Sequence, residues 1–311
     1  MKYFLGIDTS NYRTSVAVCD ENGNPVKNVR RLLPVGSGQL GLRQSQALFE
    51  HVKALPEVMG EIGRIIPAAV GYSSRPRDVE GSYMPCFLAG AAVARSIASA
   101  YGAESFPFSH QAGHIKAAAY FSENNKVFRE LTERSDGRFA AFHVSGGTTE
   151  VLLYEGGRIT RLGGTLDLCA GQLIDRVGVM LGFDFPCGEM LERCASGISQ
   201  SKGIKVSVKG LDCNFAGLEN TASNLYAHGM RKEELAAFTL DAVAKTVERL
   251  SENLIGLYPG LPILYAGGVM SCERIRAELR NRYDCGFSKA EYSGDNAIGT
   301  ALLCRSRYLQ G

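Results

Sequence analysis

Tyr3-Phe4-Leu5-Gly6-Ile7-Asp8-Thr9-Ser10-Asn11, followed three residues later by Ser15-Val16-Ala17-Val18-Cys19, is the stretch whose pattern sets the fold. The runs 3–7 and 15–19 are apolar enough for buried strands, and the polar Asp8-Thr9-Ser10-Asn11 between them reads as a tight connection. Glu21-Asn22-Gly23-Asn24 is the next turn. The same order returns about 135 residues further on. There 140–144 is an apolar strand, Ser145-Gly146-Gly147-Thr148 a small-residue turn, 150–154 the return strand, and Gly156-Gly157 leads to a third strand near 159–162. Two copies at that separation predict a duplicated domain, because solenoid repeats have much shorter periods.

Between and after the copies the apolar spacing turns helical. Helices are predicted over 45–65, over the alanine-rich 89–101, over 166–181 and over Lys232–Leu257, and a small-residue helix over 296–309 closes the chain. The segment 262–266 reads as a short buried strand ending at Gly267-Gly268. The charged segment 123–137, with Asn124-Asn125 and Ser135-Asp136-Gly137, is the natural boundary. The expected organisation is a first lobe over 1–125, a second over 126–295 and a closing helix over 296–311.

Composition narrows the classes. The 311 residues carry 34 Lys and Arg against 32 Asp and Glu, a formal charge of +2, with no run of like charges. That balance lacks the strongly basic signature of a chain that binds nucleic acid through charge alone. Nine cysteines without a Cys-x-x-Cys pair predict reduced, mostly buried thiols and a cytoplasmic setting. With no apolar segment of signal or membrane length, neither secretion nor membrane spanning is expected.

The chain has five histidines, and two of them, His110 and His114, stand four apart in Ser-His-Gln-Ala-Gly-His-Ile. On a helix that spacing puts both imidazoles on one face, where they either grip one transition metal or form a hydrogen-bonded pair. Zinc peptidases use the same spacing with a glutamate as general base beside the first histidine. Gln111 holds that position here and cannot take a proton at neutral pH, so peptidase chemistry is not expected and a metal would orient or polarise a ligand.

Three small-residue segments have phosphate-binding chemistry: Asp8-Thr9-Ser10, Ser145-Gly146-Gly147-Thr148, and Gly267-Gly268 ahead of a helix expected near Ser271. Asp8 would hold a water or metal near the phosphates, or cap its own turn. In this order the segments predict an α/β protein of the actin-like ATPase fold, two duplicated lobes with a nucleotide cleft between them.

At Gly6-Ile7-Asp8-Thr9-Ser10, His110-x-x-x-His114, Val144-Ser145-Gly146-Gly147, Ala170-Gly171 with Asp175, Pro186 with Gly188, Gly267-Gly268-Val269 and Asp295-Asn296, the chain resembles the TsaD/YgjD family, formerly named O-sialoglycoprotein endopeptidases. The resemblance implies threonylcarbamoyl transfer from an adenylate to the exocyclic amine of a tRNA adenosine. It implies that His110, His114 and Asp295 hold one iron or zinc ion. It further implies that Ser145, Gly146 and Gly147 line the phosphate or carbamoyl region and that Asp175 and Gly188 reach the ribose. ATP, AMP or the acyl-adenylate, with or without magnesium, would be the nucleotide. The implied partners are tRNA, an adenylate-supplying enzyme, and actin-like or ATPase proteins.

Several positions depart from the family pattern. Tyr12-Arg13 replaces an acidic pair, Thr148 a histidine, Ser74-Arg75-Pro76-Arg77-Asp78 a glycine-rich stretch, Glu219 a lysine, and Cys272 an adenine-side asparagine. Arg13, Arg75 and Arg77 lead us to expect a more anionic ligand. Carbamoyl transfer to another acceptor, or a nucleotide-binding regulatory or assembly role without turnover, are the alternative functions.

Overall fold

β1 (Tyr3–Ser10) and β2 (Arg13–Asp20) pair antiparallel, with Ile7 opposite Val16, Asp8 opposite Ser15 and Ser10 opposite Arg13. The computed structural model describes residues 1–10, 12–34, 42–123, 125–280, 282–292, 294 and 297–311, with Asn125 and Ala290 described in backbone only. Except for Tyr3 and Arg13, both strands are buried throughout, as expected for strands covered on two faces. The polar triplet that the sequence pattern suggests is a turn is strand in the structure. Asp8, Thr9 and Ser10 belong to β1, laddered against Ser15, Thr14 and Arg13, so they form no turn. The β-branched Thr9 and Thr14 stand opposite each other and extend the ladder beyond its apolar run.

β3 (Pro25–Leu32) continues the meander, and α1 (Gln44–Ile62) leads into β4 (Pro67–Arg75), which lies parallel to β1. α2 (Phe87–Tyr101), β5 (Glu104–Ser109) and α3 (His110–Tyr120) follow, giving a sheet ordered β3-β2-β1-β4-β5. Leu55, Val58 and Ile62 of α1 and Ala89, Ala94 and Ala98 of α2 pack with Leu5, Ile7, Val16, Val18 and Val70 to form the core on one sheet face.

The charged segment expected as a boundary holds a helix, α4 (Asn125–Glu133). Buried Phe128 anchors it, its ring edge-on to Phe139 at 5.5 Å. β6 (Arg138–Val144), β7 (Thr149–Glu155) and β8 (Arg158–Thr165) then repeat the three-stranded antiparallel meander. α5 (Ala170–Met180) starts four residues later than predicted, because Cys169 and Gln172 form its N-terminal capping box. α6 (Gly188–Cys194), β9 (Ser207–Lys209), β10 (Asp212–Asn214), α7 (Ala216–Ala227) and the predicted α8 (Lys232–Leu257) come next. β11 (Ile263–Ala266) lies parallel to β6, then a 3-10 turn over Gly268–Ser271 leads to α9 (Glu273–Arg280) and β12 (Cys285–Phe287). The second sheet is ordered β12-β11-β6-β7-β8-β10-β9. Its β8-β7-β6-β11-β12 portion repeats β3-β2-β1-β4-β5 strand for strand, which establishes the duplication.

α10 (Ile298–Leu309) returns to the first sheet, on the face opposite α1 and α2. The chain divides into one compact unit of residues 1–120 with 291–311 and another of residues 121–290, so the closing helix packs as part of the first unit. Its close approach depends on glycines. A side chain at Gly6 would collide with the backbone of Ala297 and Ala301, and one at Gly299 with the Gly113 carbonyl in α3. Among the described residues no helix is long and apolar enough to cross a membrane.

Candidate functional site

The Ser109 hydroxyl accepts the Ala112 N–H at 3.1 Å, which caps α3 and makes His110 its first residue. One turn on, His114 faces the same way. Its Nε2 is 2.9 Å from His110 Nε2, with the rings perpendicular at 88° and 4.3 Å between centroids. His110 Nδ1 lies 3.0 Å from Asp8 Oδ1, and Asp8 Oδ2 accepts the Ser10 hydroxyl at 2.7 Å. Donation of the His110 Nδ1 proton to this carboxylate leaves a lone pair on Nε2, directed at His114.

Asp8 is 1% exposed, whereas the His110 side chain is 20% exposed. Burial alone would raise the Asp8 carboxyl. The positive charge of the His110 ring when it is protonated, with the hydrogen bonds from His110, Ser73 and Ser10, outweighs burial and holds the carboxyl below its ordinary value.

Two nitrogens about 2.1 Å from one ion lie ~3.0 Å apart at the right angle of octahedral coordination and ~3.4 Å apart at the tetrahedral angle. The 2.9 Å between His110 and His114, here an N–H···N hydrogen bond, is close to the first of these, and a carboxylate on the remote nitrogen is the usual companion of a metal-ligating histidine. The donor set therefore suits a transition ion such as iron or zinc. Among the described residues no group of three His, Cys, Asp or Glu converges as an ion site. Asp295 and Asn296 lie outside the described residues.

Of the other first-unit positions, Thr9 and Arg75 have structural partners. Thr9, on the opposite strand face from Asp8, donates to the Cys86 carbonyl at 3.0 Å and accepts the Gly90 N–H at 3.2 Å, tying β1 to the start of α2. Asp8 and Thr9 thus serve the histidine pair and the helix contact from within β1. Arg75 is bound to Asp78 at 2.6 Å.

In the second unit, the ends of β6 and β11 gather the predicted glycine segments. Ser145 N–H donates to the Thr148 carbonyl at 2.7 Å, closing the expected turn, and Gly147 N–H reaches the Ser145 hydroxyl at 3.3 Å. Gly171 at the start of α5 packs on this turn, since a Cβ there would lie 2.7 Å from Gly146 Cα. Gly267 has φ +99°, and a side chain on it would strike the Val144 carbonyl. At Gly146, Gly147, Gly188 and Gly268, by contrast, a Cβ would meet nothing within 4 Å.

Asp175 accepts the Cys187 N–H at 2.8 Å and so holds the segment leading into α6 and Gly188. Cys272 sits between the 3-10 turn and α9, where burial and the Glu192 carboxylate push its thiol up to about 12. Glu192 also accepts the Glu273 and Arg274 N–H groups, at 2.7 and 3.3 Å. The opening of α9 therefore already has an anionic partner in Glu192. Glu219 is paired with Arg176 at 2.9 Å.

Sequence reasoning missed the Asp8–His110 bond, the Glu192 cap and the Asp241–Arg274 ion pair, in which Asp241 accepts Arg274 Nε at 2.6 Å and Nη2 at 2.9 Å. The alternation of Asp8 and Ser10 along one strand was the only available signal, and it requires β1 to extend to Ser10.

The repeated meanders with parallel strands appended are those of the α/β actin-like ATPase fold. Full-length HypF in its phosphate- and nucleotide-bound form aligns with a TM-score of 0.62 at 12% identity, covering 99% of this chain and 47% of that one. Residues 81–302 match the family described as TsaD, tRNA N6-adenosine threonylcarbamoyltransferase, and the chain belongs to that family. A probable bifunctional tRNA threonylcarbamoyladenosine biosynthesis protein of Methanothermobacter thermautotrophicus is 27% identical over 305 residues, which cover 96% of this chain. The chain spans about half, 54%, of that relative. A tRNA N6-adenosine threonylcarbamoyltransferase of Methanopyrus kandleri is 26% identical over 310 residues, covering 94% of this chain and 84% of the relative.

Proposed function

We propose that this chain is a metal-dependent transferase that moves a threonylcarbamoyl group from threonylcarbamoyl adenylate to the exocyclic amine of a tRNA adenosine. The observation that carries the reading is the Asp8–His110–His114 line, built into a chain of the TsaD family. His110 and His114, with Asp295 as the resemblance implies, would hold one iron or zinc ion. The ion would supply positive charge and a binding position for the acyl group.

Asp8 keeps His110 in the tautomer and orientation that turn Nε2 outward. Ser145, Gly146 and Gly147 would take the phosphate, with bare backbone N–H groups able to approach its oxygens. Asp175 and Gly188 would meet the ribose, and Cys272, as a neutral thiol, the adenine side. Attack of the amine on the carbamoyl carbon forms a C–N bond, breaks the C–O bond to the phosphate and releases AMP, and the amine loses one proton. In this reading the protein is cytoplasmic, consistent with nine thiol cysteines, and works with an adenylate-supplying enzyme and actin-like or ATPase partners.

The test uses protein purified without a histidine tag, analysed for metal and incubated with the adenylate and unmodified tRNA. The expected result is about one bound transition ion per chain and N6-threonylcarbamoyladenosine in the digested tRNA. Metal-loaded protein that leaves the nucleoside unmodified, with and without the partner proteins, rules the reading out.

A further inference from the structure

We propose that Arg13 determines ligand specificity: its guanidinium takes an oxyanion of the acyl donor, a carboxylate or a phosphate, beside the His110–His114 pair. The inference rests on the transferase reading and adds the group that selects the ligand by charge. It begins from strand register. Ser10 stands opposite Arg13 and Asp8 opposite Ser15. Alternation then puts Arg13, Ser10 and Asp8 on one face of the sheet, the face on which Asp8 meets His110 and Ser15 accepts the Ala297 N–H at 2.8 Å. Arg13 is joined to the histidines by a short series of neighbours, Ser10 to Asp8 at 2.7 Å and Asp8 to His110 at 3.0 Å.

The guanidinium lies against Gly294, with Nη1 3.1 Å from where a Cβ on that glycine would stand. Two other arginines occupy the same edge, and both are engaged. Arg75 is held by Asp78 at 2.6 Å, and Arg30, opposite Ser15, donates to the Glu291 carbonyl at 3.1 Å. Arg13 is half-buried, and among the described residues no acceptor lies within hydrogen-bond distance of it. The guanidinium keeps access to solvent, so a ligand can reach its five N–H donors, and a fork of parallel N–H bonds is the geometry that carboxylates and phosphates accept. Asp8 does not compete for this cation, because both of its oxygens are bonded, to His110 and Ser10. The charge of Arg13 is therefore directed at a ligand.

The test is calorimetric titration of metal-loaded wild type, R13Q and R13K with two matched pairs: AMP against adenosine, and N-carbamoyl-L-threonine against its methyl ester. R13Q is expected to weaken binding of an anionic member at least tenfold and leave its neutral counterpart unchanged, with R13K recovering part of the loss. Loss confined to AMP identifies phosphate as the bound oxyanion, and loss confined to the free acid identifies carboxylate. The proposal is overturned if charged and neutral members weaken together, if R13Q binds all four as wild type does, or if wild type shows no preference for the anions. Unchanged thermal unfolding of the variants excludes a folding defect. Wild type that modifies tRNA while R13Q keeps its anion binding defeats this inference alone. Arg13-dependent anion binding in a protein that never modifies tRNA defeats the transferase reading alone.

Discussion

Asp8 and His110, separated by 102 residues in sequence, meet through a 3.0 Å bond between Oδ1 and Nδ1. The bond fixes which nitrogen of His110 carries the proton and therefore which one can accept from an ion or from His114. Asp8→Asn keeps the side-chain volume and removes the acceptor charge. It should weaken zinc or iron binding by about 10- to 100-fold with little change in the folded state, read by competition with a chelating dye.

His51 supplies a pH test independent of the metal pair. It is fully buried on α1, with Nδ1 2.8 Å from the Thr14 hydroxyl, and burial pushes its ring down to about 4 despite the neighbouring Asp8 charge. Between that value and the ordinary ~6.5 the unfolded chain binds a proton that the native protein does not, so stability rises with pH across the window. Lowering the pH from 7 to 5 should cost wild type about 2 kcal/mol more than His51→Gln, measured as the shift in urea midpoint at each pH. Equal shifts in the two proteins would remove the assignment.

The glycines of the second unit divide into two kinds. Gly267 combines positive φ with a backbone carbonyl where a side chain would go, so Gly267→Ala should destabilise by at least ~2 kcal/mol. Gly146→Ala and Gly268→Ala meet open space and should leave thermal unfolding within about 0.5 kcal/mol of wild type. If the Ser145 turn holds phosphate, Gly146→Ala should nevertheless weaken AMP binding in calorimetry.

Asp241 is 4% exposed and Arg274 19% exposed as side chains, and Arg274 also donates to the Ile198 carbonyl at 3.0 Å. Asp241→Ala leaves the guanidinium buried without its counter-charge and should cost about 3 kcal/mol in chemical denaturation. Asp241→Ala with Arg274→Met should recover much of that loss, since the pair is then replaced by apolar contact.

The architecture was legible because it rests on periodicity and on a repeated phrase: apolar strands at 3–7 and 140–144, small-residue segments after each, and a long helix over Lys232–Leu257. The His110 and His114 pairing was equally accessible, because helical spacing alone places the rings together. The role of Asp8 was not. A polar triplet after an apolar run resembles a turn, and only the ladder to Arg13 shows it to be strand, with Asp8 on one face and Thr9 on the other. The partners of Cys272 and Asp175 were hidden for a different reason. Glu192 and Cys187 reach them through tertiary packing that leaves no local pattern.

The helix that covers the first sheet is encoded after everything in the second unit. During synthesis, residues 121–290 must leave the ribosome before α10 exists, an interval of roughly ten to thirty seconds. Throughout that time the strand face around Gly6 and Gly71 has no permanent cover, although the neighbouring domain can already have matured. The amino-terminal unit thus completes its packing only after the last helix of the chain has been made.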